Sequence, residues 1–184
     1  MVLTIQELLE PINEGEYELK NYLRQNGFKV KDVSDNPVYW AKDIDLIIEI
    51  DGAPAKIEVK WDYRLAETTN LFVELYNPRS KGCKGWFNFC QADYLAYGDA
   101  INQVFYFIKL DDLRHFIDRE KKSLRCASTY DRSYGYLVPL EKIISMARIA
   151  KIWNTKSYSS IIILGELLFA GGKKWVYHQD NKNY

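Results

Sequence analysis

Two carboxylates and a lysine are the residues of this sequence best suited to chemistry. Asp45 lies in one apolar segment, and Glu58 and Lys60 lie in the next. Two carboxylates close together offer the hard oxygen ligands that Mg²⁺ prefers. Lys60 follows Glu58 by two positions, so both side chains project from the same face of an extended strand, and the ammonium could hold a water beside the ion. Such an ion lowers the pKa of a water, neutralises charge and fixes geometry, as attack on a phosphodiester requires.

Two consecutive predicted strands position these residues. The first, residues 44–50, reads IDLIIEI and alternates in the way typical of a strand. One face is expected to carry Ile44, Leu46, Ile48 and Ile50, and the other Asp45, Ile47 and Glu49. Asp51-Gly52 is a turn signal, although Pro54 lengthens the loop. The second strand, residues 56–61, places Glu58 and Lys60 on one face, so the pattern predicts a hairpin that brings the two carboxylates together.

The remaining pattern predicts an α/β domain with a mixed central sheet flanked by helices. The 184 residues suit a single domain, with a core at about 10–122 and a C-terminal helical or irregular extension at about 123–184. The predicted helices are a first one from about Thr4 to Pro11 and then residues 13–25, 91–97, 111–122 and 140–150. The other predicted strands are residues 28–33, 71–76, 103–110 and 136–138.

Asp45 with Glu58-x-Lys60 resembles the core motif of the PD-(D/E)XK nuclease superfamily, which includes restriction enzymes, resolvases and repair nucleases. The segment from Glu16 to Gly27 is similar to the first helix of that fold, and the resemblance extends over about residues 10–110. It implies a restriction-endonuclease-like αβββαβ core. It also implies hydrolysis of nucleic-acid phosphodiesters with Mg²⁺, for which Mn²⁺ can substitute.

The resemblance also implies roles for individual residues. Asp45 and Glu58 would bind Mg²⁺, with the backbone carbonyl of Val59 as a further ligand, and Lys60 would orient the attacking water. Glu16 would hold a second ion or a water of the first, with Glu18 as a weaker choice for that helix position. The residue before Asp45 is Ile44 rather than the proline of the motif.

Other readings of these residues remain open. Asp43 is a rival to Asp45, and an E-x-K pattern also arises on a strand whose charged face is simply solvated. Glu74 is either an accessory acid or an outward-facing strand residue. The three cysteines and two histidines show no zinc-ligand spacing.

A basic loop with aromatic residues follows the predicted strand at 71–76. Arg79, Lys81, Lys84 and Trp86 have the residue types that grip phosphates and stack on bases. The same loop could equally be an ordinary surface loop anchored by Trp86. Gln91, with Tyr94, loosely matches a DNA-contacting helix of some exonuclease-like members of the superfamily.

The charge balance limits how the chain can bind DNA. Lys and Arg number 25, and Asp and Glu also number 25, so any DNA-binding surface must be local. The odd number of cysteines favours a reducing cytoplasm, or a host-cell cytoplasm for a phage-encoded protein. No apolar run has the roughly 18 residues of a membrane span.

The sequence therefore predicts a Mg²⁺-dependent endonuclease of DNA, of phage, mobile-element or resolvase type. A homodimer is plausible, because many relatives must cut two strands. The alternative is a non-catalytic nucleic-acid-binding or assembly module that keeps the motif as structure.

Overall fold

Short helices and two β-sheets build the protein in the computed structural model, which describes residues 14–50, 52–145 and 148–151. The helices are α1 (Glu14–Gln25), α2 (Pro37–Trp40), α3 (Leu65–Thr68), α4 (Leu110–Glu120) and α5 (Leu140–Ile144). The strands are β1 (Val30–Asp32), β2 (Leu46–Ile50), β3 (Ala53–Asp62), β4 (Asn70–Tyr76), β5 (Tyr94–Asp99), β6 (Val104–Lys109), β7 (Arg125–Ser128), β8 (Tyr134–Pro139) and β9 (Arg148–Lys151).

A mixed six-stranded sheet in the order β1-β2-β3-β5-β6-β9 forms the centre of the fold. Strands β3 and β5 are parallel, and the other neighbours are antiparallel. The prediction of an α/β fold with a mixed sheet and flanking helices is confirmed. The β2–β3 hairpin is also confirmed, with Leu46 opposite Ile57.

The connection between β3 and β5 differs from the predicted one. A crossover between parallel strands usually contains a helix, and the sequence placed one at residues 91–97. That prediction was wrong, because Tyr94–Asp99 is strand β5. The segment is a short apolar run buried on both faces, and such a run cannot be told from a buried helix by periodicity. The observed crossover instead consists of α3, β4 and two 3-10 turns, Lys81–Cys83 and Trp86–Asn88.

The central sheet separates two apolar cores. Leu19 and Leu23 of α1 pack on one face, and Leu113 and Phe116 of α4 pack on the other. Strand β6 alternates between the two cores, so its continuous apolar sequence fits a strand buried on both sides. Ile44 departs from its predicted face. It precedes β2 and lies in the α4 core, whereas Leu46 and Ile48 lie in the α1 core.

A second, three-stranded antiparallel sheet has the strand order β4-β8-β7. Strands β7, β8 and β9 come from the predicted C-terminal extension, yet β8 pairs with β4 and β9 pairs with β6 of the core, while β7 pairs with β8. The predicted helix at 140–150 was wrong beyond Ile144, since Arg148–Lys151 is an edge strand bonded to β6. Residues 152–184 and the predicted first helix, from about Thr4 to Pro11, lie outside the described part of the chain.

Candidate metal centre and adjoining cleft

The β2–β3 register brings Asp45 opposite Glu58, one position beyond the Leu46–Ile57 pair. The backbone N–H of Asp45 donates to the carbonyl of Ile57 at 2.9 Å, which continues the ladder past the end of β2. The Oδ2 atom of Asp45 accepts the backbone N–H of Val59 at 2.8 Å. Burial raises the pKa of Asp45 despite that hydrogen bond, so its carboxylate is held in place but poorly solvated.

Glu58 is the most enclosed acidic group of the site, with 2% of its surface exposed. Its Oε1 atom pairs with the ammonium of Lys60. Its Oε2 atom is buried and has no hydrogen-bond partner among the described residues. Burial raises the pKa of Glu58 well above its usual value, Lys60 opposes the shift, and Asp45 and Asp43 add to it. A buried carboxylate oxygen without a partner is costly, and a cation would remove that cost.

Lys60 stands between the carboxylates as their counter-charge. Its Nζ atom pairs with Glu58 and lies 3.9 Å from Oδ2 of Asp43. It also lies 5.7 Å from the centroid of the Trp86 ring, within cation–π range. Burial by itself would lower the pKa of Lys60. The charges of Glu58 and Asp43 raise the pKa by more than burial lowers it, so the net shift is upward. These neighbouring charges favour the protonated ammonium, which donates a hydrogen bond to the Glu58 carboxylate.

Asp43 joins the cluster through an unusual backbone conformation. Its φ of 57° lies in the left-handed region, which aspartate tolerates better than most residues. Its Oδ2 atom is buried without a hydrogen-bond partner in the described part of the chain. Ligand atoms of Asp43, Glu58 and Cys90 lie within 4.8 Å of one another. The rival aspartate of the sequence analysis thus lies in the same cluster as the motif residues.

Glu16 reaches the site because α1 approaches β3 closely at Gly15. A Cβ atom on Gly15 would lie 2.6 Å from the Cβ of Trp61, so only glycine allows this approach. Burial, with the charge of Asp45 next in importance, raises the pKa of Glu16 to about 7. Near neutral pH, this carboxyl is therefore poised between its two protonation states.

All the residues predicted to form the centre line one cleft of about 470 Å³. They lie where β2 begins, β3 ends and the first turn of α1 approaches the sheet. The predicted residues of the lining are Glu16, Asp45, Glu58, Val59 and Lys60. Asp43, the rival to Asp45, also lines the cleft, and the residues of the lining that had no predicted role in the site are Gly15, Ser34, Asp35, Trp40 and Trp61.

The residues present fit a hard divalent cation. The donor set is dominated by carboxylate oxygens, which suit Mg²⁺ or Mn²⁺. Two of those oxygens, on Asp43 and Glu58, are buried without hydrogen-bond partners among the described residues. Cys90 departs from this pattern. Its thiol donates to the carbonyl of Asp43 at 3.3 Å, and burial raises its pKa to about 12, so it acts as a neutral hydrogen-bond donor.

The residues predicted for nucleic-acid contact are dispersed. Lys84 and Trp86 line a second recess that adjoins the cleft. Arg79 is exposed and pairs with Asp131 at 3.7 Å instead. Gln91 is exposed in the segment before β5 and lines neither recess. The resemblance placed it on a helix, but residues 91–97 form no helix. The side chain of Lys81 lies outside the described part of the structure.

Two further residues of the site carried little sequence signal. Trp40 ends α2 on the rim of the cleft and is 73% exposed, which is unusual for so large an apolar side chain. Asn36 caps that short helix by accepting the N–H of Val38 at 3.0 Å, and Pro37 stands at its first turn. Cys90 lies far from the motif along the chain, and only the fold brings it to Asp43.

Comparison with solved structures gives distant likenesses of fold. The structure of a bacterial homing endonuclease is similar to this chain with a TM-score of 0.46 and 15% sequence identity, over 78% of this chain and 89% of that one. No protein-family model matches the sequence, and no curated protein matches it significantly. A likeness this distant carries no argument about mechanism, so the proposal below depends on the cleft itself. Among the described residues, no helix has the length and apolar character needed to cross a membrane.

Proposed function

We propose that this protein is a Mg²⁺-dependent deoxyribonuclease that hydrolyses DNA phosphodiester bonds, an endonuclease of phage, mobile-element or resolvase type. One observation carries the proposal. Glu16, Asp45, Glu58 and Lys60 come from three separate elements, yet they line one cleft, where a buried oxygen of Glu58 has no partner among the described residues. A solvated strand pattern would leave Glu58 exposed, whereas it is almost completely buried.

Asp45 and Glu58 would hold the ion, with Asp43 as an additional oxygen donor and the backbone carbonyl of Val59 as a further ligand. A bound Mg²⁺ supplies Lewis acidity and charge neutralisation at the phosphate and lowers the pKa of its waters. Lys60 keeps its proton in this setting, so its ammonium orients a water or a phosphate oxygen by donating hydrogen bonds. Glu16, on the opposite wall, would hold a second ion or a water of the first.

The proposal is tested by cleavage of labelled DNA in Mg²⁺, Mn²⁺ or EDTA. The panel contains linear duplex, nicked, branched, single-stranded and circular DNA. Lys60→Met keeps most of the apolar stem but removes the charge, and Lys109→Ala is the control, because Lys109 is exposed at the end of β6 and lines neither recess. Loss of one charged donor aimed at a reacting phosphate lowers the rate about 100-fold or more.

We expect metal-dependent cleavage that Lys60→Met abolishes and Lys109→Ala leaves unchanged. Cleavage that survives Lys60→Met would instead indicate a contaminating nuclease. If no DNA is cut with either metal but DNA still binds, the alternative of a non-catalytic binding module holds. The zero net charge of the chain keeps that alternative worth testing.

A further inference from the structure

A second, larger recess opens directly beside the candidate metal centre. It has a volume of about 770 Å³, within the range typical of sites for small organic ligands. Asp43, Lys60 and Trp61 line both recesses. A nucleotide whose phosphate lies at the metal centre would therefore have its neighbouring base or sugar at the mouth of the larger recess.

The charge of the larger recess does not suit a track of phosphates. Its cationic residues are Lys60, Arg64 and Lys84, and its acidic residues are Asp43, Asp62 and Glu74. Binding along a DNA backbone depends on an excess of Lys and Arg over acidic groups, and here the two signs balance. The lining instead fits a ligand part that carries no charge.

Aromatic and amide side chains make up much of the remaining lining. Its aromatic residues are Trp61, Phe72, Trp86, Phe89, Tyr97 and Tyr130, of which Trp86 and Tyr97 are buried. Asn70 and Asn77 add amide groups, and the Tyr130 side chain is fully exposed. Exposed aromatic rings are the surfaces on which unpaired bases stack, and amides and carboxylates read the edges of bases.

The floor of this recess is rigid. The hydroxyl of Tyr97 donates to Oδ2 of Asp62 at 2.7 Å and accepts the backbone N–H of Phe72 at 3.0 Å. These bonds tie β5 and β3 of the main sheet to β4 of the smaller one. They therefore fix the floor of the recess between the two sheets, whereas Tyr130 lies in the turn between β7 and β8.

Glu74 supplies an acceptor without a partner. It lies on β4 beside a β-bulge between Glu74 and Tyr76, a feature that redirects side chains. Its carboxylate lines the recess and makes no hydrogen bond or ion pair with the described residues. A carboxylate there can accept an N–H from the pairing edge of a base, such as the amino group of cytosine.

We propose that the larger recess binds an unpaired base of DNA adjacent to the phosphate at the metal centre, with aromatic residues contacting the base and the Glu74 carboxylate accepting one of its N–H groups. The inference rests on the proposed function for the position of the phosphate. It adds that the substrate presents unpaired nucleotides, as in single-stranded or branched DNA, because a paired base cannot enter a recess of this size.

The test measures binding, so that it does not depend on cleavage. Binding of a labelled single-stranded oligonucleotide and of the matching blunt duplex is measured by fluorescence anisotropy in Ca²⁺. A denaturing gel checks that the DNA is still intact when the anisotropy is read. The variants are Tyr130→Ala and Glu74→Gln. The matched controls are Tyr17→Ala and Glu67→Gln, because Tyr17 and Glu67 are exposed residues of the same types that line neither recess.

We expect the single strand to bind at least about tenfold more tightly than the duplex, and Tyr130→Ala to weaken that binding about tenfold, the size of one base–aromatic contact. Glu74→Gln should change the ranking of oligo-dC against oligo-dT, and both controls should bind as the wild type does. Equal affinity for duplex, no binding of the single strand, or a Tyr130→Ala protein that matches Tyr17→Ala would overturn the inference. If the protein binds the single strand in a way that depends on Tyr130 but cuts no DNA with either metal, the nuclease proposal is wrong and the base-binding recess stands.

Discussion

The protonation of Glu16 gives the sharpest test of how the centre is built. Burial and the charge of Asp45 raise the pKa of this carboxyl from 4.5 to about 7. The ionised form of Glu16 is therefore disfavoured in the folded protein. The stability that the protonated form contributes to the fold is fully present below about pH 4.5, and it is lost as the pH rises through about 7. The pKa values of Asp43, Asp45 and Glu58 shift in the same direction. The metal-free protein should thus be less stable near pH 8 than near pH 5.

The magnitude follows from the shift. A displacement from 4.5 to about 7 corresponds to roughly 3.4 kcal/mol if it were fully expressed. Glu16 is only partly buried, and solvent screening reduces this to about 1–2 kcal/mol. Glu16→Gln removes the ionisation but keeps the size of the side chain. It should therefore raise the free energy of unfolding of the metal-free protein by that amount near pH 8 and change it little near pH 4.5.

Thermal unfolding in EDTA measures the effect at both pH values. For a chain of this length, 1 kcal/mol moves Tm by about 2–4 °C, so Glu16→Gln should raise Tm by roughly 2–8 °C near pH 8. Glu67→Gln is the control, because Glu67 is exposed and lies outside the cleft, and its effect should be small at both pH values. Mg²⁺ should stabilise the wild type more than Glu16→Gln near pH 8. A Glu16→Gln protein that is less stable than the wild type near pH 8 without metal would refute this account of the cleft.

Three further predictions concern the supports of the site. Gly15→Ala should lower Tm, although alanine in a helix is ordinarily about 1 kcal/mol better than glycine, because the new Cβ would lie 2.6 Å from the Trp61 side chain; a higher Tm would contradict that close approach. Tyr97→Phe should destabilise the protein by about 1–3 kcal/mol in urea unfolding, since it leaves a buried acceptor and donor unpaired; a change within error would contradict the bridging role. Trp40→Ala should weaken DNA binding in anisotropy without lowering Tm, because its ring is largely exposed; unchanged affinity would show that the rim makes no contact.

The β2–β3 hairpin that carries the candidate centre could be predicted from the sequence because its signal is local. Alternation in β2 and β3, with a turn signal between them, sets the register that brings Asp45 opposite Glu58. The helix ending at Gln25 was equally clear, because Gly27 follows it with a positive φ that ends the helix. Local patterns of this kind do not depend on distant parts of the chain.

The sequence failed where the environment is set by tertiary structure. Strand β5 is buried on both faces between β3 and β6, which removes the alternation that identifies a strand. The left-handed backbone of Asp43, which lies beside Glu58 in the cluster, cannot be read from residue type alone. The contact of Cys90 with Asp43 joins segments that are 47 residues apart, and no motif predicts it.

The charges that line the cleft of the candidate metal centre, the smaller of the two recesses, bear on how a protein with zero net charge could act on DNA. Five carboxyl groups and one ammonium group line it, from Glu16, Asp35, Asp43, Asp45, Glu58 and Lys60. In the proposed function, a bound ion would supply the positive charge that a phosphate needs in a recess lined mainly by carboxyl groups. The adjoining recess, in which cationic and acidic residues are equal in number, would in the proposed arrangement add contacts to a base. Under this arrangement, affinity for DNA depends on the metal and on unpaired bases more than on net charge, and an equal number of acidic and basic residues is compatible with the proposed activity.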